Sequence, residues 1–324
     1  MSGSPRNAPP ELPSVTVRAP AKVNLLLQVG PRRDDGFHDL VTVFQAVSLH
    51  EEVTVTPAEE FAVTVEGVGG TDVGGVPLDD TNLAVRAARL LAERAGVTGA
   101  VHLHVRKEVP VAGGMAGGSA DAAAALVACD ALWRLRSGLD ALAELGAELG
   151  SDVPFGLHGR TAVGTGRGEH LVPVLTNASF AWVFVLGEEG LSTPTVFAEC
   201  DRQRASGYEP RPGRLEAVET ALRSGDADAL GAALSNDLQD AAFALAPGLA
   251  ATIAVGRRAG ALAGIVSGSG PTVALLAPSA PAARRLALDL APVFGTERLR
   301  TATGPVPGAR VLEAVSTPTP GGRS

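Results

Sequence analysis

VPVAGGMAGGSADAAAAL, residues 109–126, packs four glycines (Gly113, Gly114, Gly117, Gly118) into six residues, adds Ser119, and runs on into an alanine-rich segment with nothing to stop a helix. Glycine permits positive φ and lets backbone come close to a ligand. A helix starting just after such a loop offers free N–H groups and the positive end of its dipole. Together these make an anion site, most often for phosphate. A tight turn followed by a Ser-capped helix would use the same residues and bind nothing. Two further glycine-rich segments, GTGRGE from Gly164 and SGSGPT from Ser267, favour the anion site.

Other phosphate loops do not fit. No G-x-x-x-x-G-K-[ST] occurs, so the common NTPase loop is absent. The spacing also fails G-x-G-x-x-G after a strand with an acidic residue about 20 positions later, as dinucleotide-binding folds require. The chain has 324 residues, 45% of them hydrophobic, enough for one large core or two of ordinary size. A formal charge of −8 with no basic run argues against a nucleic-acid surface. Cys129 and Cys200 lack metal-ligand spacing and read as reduced thiols packed as small apolar residues. MSGSPRNAPPELP has no apolar h-region, and no apolar run reaches the ~18 residues of a membrane helix. A cytoplasmic enzyme is the expectation. Of 27 basic residues only Lys22 and Lys107 are lysine. Genome base composition accounts for most of that bias. It leaves open why these two compact, tunable ammonium groups remain, since a guanidinium fork does not replace them chemically.

Residues 1–13 and 316–324 are rich in Pro, Ser and Gly and are expected to be disordered tails. From Val15 the chain alternates, with Val15, Val17, Ala19, Ala21, Val23, Leu25, Leu27 and Val29 on one face. Lys22 and Asn24 fall on the other, about 7 Å apart along a strand. Strands follow at Val41–Leu49 and through EEVTVTP, then a helix opened by Asp80-Thr81-Asn82 and ended at Gly96. VHLHVRKEV is a strand feeding the glycine loop, and His102 and His104 read as one exposed strand face. A helix ends near Gly150, and Ser151-Asp152 precede Pro154, which is also ordinary N-capping. A change of style between Leu175 and Ala181 sets a domain boundary near residue 175, with mixed α and β elements on both sides and no internal repeat.

Phosphoryl transfer needs a cradle for the triphosphate, charge neutralisation, and a group that orients or deprotonates the acceptor hydroxyl. The glycine loop supplies the cradle. A carboxylate beside an ammonium supplies the rest, and Lys22 and Asp152 are the candidates by type. The loop resembles the second motif of the GHMP kinases, roughly P-x-x-x-G-L-G-S-S-A-A. Pro110 leads its glycines and Ser119 follows them; Ala120 stands where many members carry a second serine.

One branch of that family, the 4-diphosphocytidyl-2-C-methyl-D-erythritol kinases, is similar over about residues 14–276. The matching segments, in order, are APAKVNLLLQVGPRRDDGFHDLVTVFQAV, DDTNLAVRAARLL, GGMAGGSADAA, LGSDVPF, STPTVF, NDL and SGSGPT. The resemblance implies an α+β fold of two domains: a GHMP ATP-binding domain over 14–175 and a ferredoxin-like C-terminal domain over 176–315, with the active site in the cleft between them. It implies ATP-dependent phosphorylation of the 2-hydroxyl of the diphosphocytidyl-methylerythritol, in the non-mevalonate route to isoprenoids. Lys22 and Asp152 match the catalytic lysine and the aspartate base. Asn24 matches an acceptor-sugar contact and Asn82 the adenine contact. ATP-binding positions further comprise Lys107, Pro110, Val111, Ala112, Gly113, Gly114, Met115, Ala116, Gly117, Gly118 and Ser119. Phe37, His38, Thr193 and Phe197 match the cytosine pocket, Phe37 replacing the usual tyrosine. Mg2+ is expected with ATP from the chemistry, its ligands not being legible. A small-molecule substrate is implied, with neither nucleic acid nor membrane as partner. Two alternatives remain open: a GHMP kinase for another alcohol such as homoserine or a mevalonate derivative, and a non-catalytic nucleotide-binding module.

Overall fold

The computed structural model describes residues 13–188, 190–208 and 213–315; the expected tails, but for residue 13, lie outside the described residues. Alternating β-branched and aliphatic residues build two long strands, β1 (Ser14–Arg32) and β2 (His38–Ala58), which pair antiparallel from Val15↔Val55 to Arg32↔His38. The two strands expected at Val41–Leu49 and EEVTVTP are thus one continuous strand. β3 (Ala62–Gly67), α1 (Leu83–Ala95), β4 (Ala100–Lys107), α2 (Gly117–Trp133), α3 (Leu139–Leu149), α4 (Val153–His158), β5 (Thr161–Thr165) and β6 (His170–Pro173) complete the first unit. The alanines of α2 are buried nearly all round, which suits a helix sunk between α1 and the sheet.

The second unit runs through β7 (Phe180–Val185), α5 (Thr193–Ala205), α6 (Leu215–Ser224), α7 (Ala227–Ala233), β8 (Ser235–Asn236), α8 (Gln239–Leu245), α9 (Gly248–Arg258), β9 (Ala263–Val266), β10 (Val273–Ala277), α10 (Ala280–Phe294) and β11 (Leu299–Gly304). Its antiparallel sheet has the order β11-β7-β10-β9. Numbered along the chain that order is 4-1-3-2, the split βαβ arrangement of ferredoxin-like domains.

The chain changes sheets between Pro173 and Phe180. It does not then stay in the second unit. The last strand, β12 (Arg310–Val315), returns to pair with β1, and β8 adds to β1 at Leu26 and Leu27. Residues 310–315 therefore belong to the first sheet. β1 joins both units: Val17 and Ala19 pack with α1 and α2, whereas Val23, Leu25 and Leu26 share a core with Trp182 and Phe184. The middle of β1 is consequently buried on both faces, and its polar residues have no solvent face to occupy. Among the described residues no single helix is long and apolar enough to cross a membrane.

Candidate active site

Lys22 and Asn24 share one side of β1, as the two-residue period requires, and both are buried. Lys22 Nζ donates to Asn24 Oδ1 at 2.7 Å and to the Gly114 carbonyl at 2.9 Å. Asn24 Nδ2 donates to Thr42 Oγ1 at 2.8 Å, and that hydroxyl donates on to the Leu26 carbonyl at 2.7 Å. The chain of donors fixes the orientation of the Asn24 amide. Asp152 Oδ2 stands 3.8 Å from Lys22 Nζ. Burial lowers the Lys22 pKa, and the Asp152 carboxylate pulls it back only in part. Asp152 precedes α4 but makes no side-chain capping bond. Its carboxylate faces the lysine, so the capping alternative for this residue is set aside.

The glycine loop lies directly over the lysine. Gly114 has φ +74°, and a Cβ there would meet the Ser267 carbonyl oxygen at 2.1 Å. This is where the first and third glycine-rich segments touch, the Ser267 hydroxyl donating to the Gly114 carbonyl at 3.1 Å. Ala112 and Ala116 also take positive φ, 53° and 61°, a conformation that costs an L-residue roughly 1–2 kcal/mol. α2 then starts at Gly117 with Ala116 as its N-cap and no side-chain capping bond. A Ser119-capped helix is therefore not what forms; the Ser119 hydroxyl lies inside the first turn. The N–H groups of Gly117, Gly118 and Ser119 are first-turn donors without intrahelical partners, and all three residues line a cavity of about 970 Å³ between the two units.

Lys22, Asn24, Asp152, Asn82, Thr193 and Ser269 line the same cavity, as do Pro110 to Gly114 and Ala116. Asn82 is the N-cap of α1: its Oδ1 accepts from the Ala84 N–H at 2.9 Å, and its Nδ2 donates to the Pro77 carbonyl at 2.8 Å. At the other end lie Phe37, His38, Phe197, Arg167 and Asp201. Phe37 is 52% exposed, with the Arg167 guanidinium 5.4 Å from its ring centroid. The His38 ring packs on Phe197 with centroids 5.0 Å apart.

Residues 82–160 match the GHMP kinases N terminal domain, and residues 218–293 match the GHMP kinases C terminal domain. A 4-diphosphocytidyl-2-C-methyl-D-erythritol kinase of Kineococcus radiotolerans is 86% identical over 303 residues, 93% of each chain. The chain belongs to the 4-diphosphocytidyl-2-C-methyl-D-erythritol kinase family of the GHMP kinases. The Thermobifida fusca member is 58% identical over 282 residues, 86% of this chain and 91% of that one. A crystal structure of a 4-(cytidine 5'-diphospho)-2C-methyl-D-erythritol kinase superposes with a TM-score of 0.73 at 34% identity, covering 89% of this chain and 98% of that one. L. major mevalonate kinase in complex with R-mevalonate has a TM-score of 0.69 at 15% identity, covering 91% of this chain and 98% of that one, a likeness of fold alone. The α+β GHMP fold expected from sequence is the fold of this family.

Two expected ATP-site positions take a different form. Met115 sits in the loop, but its side chain is buried in the core shared by the two units, and it does not line the cavity. Its carbonyl accepts from the Lys22 N–H at 3.2 Å, so it seats the loop on β1. Lys107 lines the cavity, but its ammonium is already paired with carboxylates. Its ammonium lies 2.6 Å from Asp121 Oδ2 and 2.8 Å from Glu51 Oε1, and all three side chains are buried. Burial alone would lower the Lys107 pKa; the two carboxylates outweigh it, and the net shift is upward. Burial also pushes Glu51 well above the usual carboxylate range, with Asp121 adding to the effect. Glu51 Oε2 accepts the Glu108 N–H at 3.1 Å, tying this cluster to the start of the loop.

Sequence reasoning missed Glu51, Asp121 and Asp201. The first two carry no local signal, since only the pairing of β2 with β4 brings Glu51 opposite Lys107. Asp201 did carry one. In TPTVFAECD, Thr193, Phe197 and Asp201 recur every four residues, one face of a helix.

Proposed function

We propose that this chain transfers the γ-phosphoryl group of ATP to the 2-hydroxyl of 4-diphosphocytidyl-2-C-methyl-D-erythritol, with Asp152 as base and Lys22 as its charge partner. The observation that carries the chemistry is the Lys22–Asp152 pair, 3.8 Å apart in the cavity that the N-terminus of α2 also lines. Asp152 takes the proton of the 2-hydroxyl as its oxygen bonds the γ-phosphorus. The bond from that phosphorus to the β–γ bridging oxygen breaks, and ADP leaves. The Lys22 ammonium and the first-turn N–H groups of α2 stabilise negative charge on the transferring group.

In this reading Asn24 holds the acceptor sugar, Asn82 the adenine, and the loop from Pro110 to Ser119 the phosphates. Phe37, His38 and Phe197 form the cytosine end, with Thr193 near it. Among the described residues no group of three or more His, Cys, Asp or Glu could cage a metal ion. Mg2+ needs no such cage, because it keeps waters and phosphate oxygens and takes one or two protein oxygens. Beside Asp152, the cavity lining includes the Ser119 hydroxyl and the Asp121 carboxylate, whose Oδ1 has no hydrogen-bond partner among the described residues; these oxygens would hold the ion, which when bound would neutralise phosphate charge. The working division is 14–175 and 176–309, with 310–315 counted with the first sheet. Polar nucleotide substrates support a cytoplasmic enzyme.

A panel assay tests the reading: ADP release with the diphosphocytidyl-methylerythritol, homoserine, mevalonate and phosphomevalonate as acceptors, and 31P NMR of the product. Turnover with the first alone, phosphorylated at the 2-position, is expected. Better turnover with any other acceptor would overturn it, and no turnover with any would leave a nucleotide-binding module.

A further inference from the structure

We propose that Asp201 is a specificity-determining positioning residue. It holds His38 in the tautomer whose Nδ1 accepts a hydrogen bond from an exocyclic amino group, so that the cavity selects a cytidine over a uridine nucleotide. The inference rests on the cytidylyl-acceptor reading above.

His38 opens β2 in the first unit and Asp201 lies on α5 in the second, so their contact crosses the cleft. His38 Nε2 and Asp201 Oδ1 are 2.9 Å apart. An ionised carboxylate only accepts, so Nε2 carries the proton and donates. In a neutral imidazole the other nitrogen is then an acceptor. Among the described residues Nδ1 has no hydrogen-bond partner, although the ring lines the cavity. Phe197, one helical turn before Asp201, packs on the ring with an interplanar angle of 31°. One helix therefore holds both the face and one edge of the imidazole. The His38 side chain is only 5% exposed, so exchange of its two nitrogens by a ring flip would have to break both contacts.

Cytosine offers an amino donor at N4, where uracil presents a carbonyl acceptor. An acceptor Nδ1 pairs with the first and leaves two acceptors facing each other with the second. A site built to hydrogen-bond a substrate group rejects an analogue lacking it far more strongly than an apolar pocket rejects a missing methylene. Without Asp201 the proton is free to move to Nδ1, and the preference is lost.

The test combines kinetics with 15N NMR of histidine-labelled protein. In wild type, His38 should be protonated at Nε2 and unprotonated at Nδ1. The cytidylyl acceptor should be preferred over its uridylyl analogue by about 10²-fold or more in kcat/KM. Asp201→Ala should shrink that ratio at least tenfold and mix the tautomers, with the loss falling on the cytidylyl acceptor and not on KM for ATP. Protonation at Nδ1 in wild type, or an unchanged ratio in folded Asp201→Ala, overturns the proposal. Should the variant not fold, the wild-type tautomer decides alone. A wild type that uses both nucleotides equally sinks the cytidylyl reading itself. Selectivity that survives Asp201→Ala sinks only the role given to Asp201.

Discussion

Asp152→Asn separates a catalytic carboxylate from a structural one. The substitution keeps size and shape and removes the charge 3.8 Å from Lys22. Its cost in stability should be small. Asp152 caps nothing and its side chain is 29% exposed, and the buried Lys22 ammonium keeps its bonds to Asn24 Oδ1 and the Gly114 carbonyl, so the loss should lie nearer the ~1 kcal/mol of an exposed pair than the ~3–5 kcal/mol of a fully buried one. At about 2–4 °C per kcal/mol for domains somewhat smaller than this chain, the melting temperature should move by no more than about 4 °C. Its cost in rate should be large. General-base contributions of about 10²–10⁴ correspond to ~3–5 kcal/mol of barrier at about 1.4 kcal/mol per decade. A second signature follows from the lysine. Burial depresses the Lys22 pKa and Asp152 opposes that. Removing the carboxylate's charge therefore lets the ammonium deprotonate at lower pH, and the alkaline limb of the residual activity should shift downward. ADP release at saturating substrates across pH, with a thermal melt of the same sample, measures all three. A variant retaining more than a tenth of wild-type kcat, or losing activity only in step with unfolding, would refute the assignment.

Lys22→Arg should lose about 10²-fold or more in kcat although charge is kept, because a larger planar fork cannot occupy a buried site shaped by Asn24 Oδ1 and the Gly114 carbonyl; near-normal turnover would mark the lysine as incidental. Gly114→Ala adds a left-handed alanine, about 1–2 kcal/mol, and a Cβ 2.1 Å from the Ser267 oxygen. It should push the two loops apart and raise KM for ATP, and an unchanged KM would show that their contact is dispensable. His50 is held down to about 4, by burial first and then by Arg18 and Arg310. The unfolded chain then binds the extra proton between about pH 6.5 and 4, so stability falls as pH falls through that window. His50→Gln should flatten the melting temperature there relative to wild type, and parallel curves would contradict the shift.

Local periodicity was legible without any structure. The two-residue alternation of β1 put Lys22 and Asn24 on one side, and four clustered glycines before an alanine run announced a loop and a helix N-terminus. Helix α1, with Asn82 before it and Gly96 after it, followed from the side-chain chemistry of its ends. These features depend on backbone geometry and near neighbours, which a short stretch of sequence contains. Tertiary structure decided the rest. The partners of Lys107 were not legible until strand pairing set Glu51 opposite it and α2 supplied Asp121. Helix α2 starts at Gly117, ahead of Ser119, and the loop before it is seated against the Ser267 carbonyl, far away in the chain. His38 meets Asp201 only across the cleft, and β12 pairs with β1 although the whole second unit lies between them along the chain. Which charge is neutralised, which carbonyl crowds a glycine and which nitrogen keeps its proton depend on burial by residues remote in sequence, because desolvation acts through space and not along the chain.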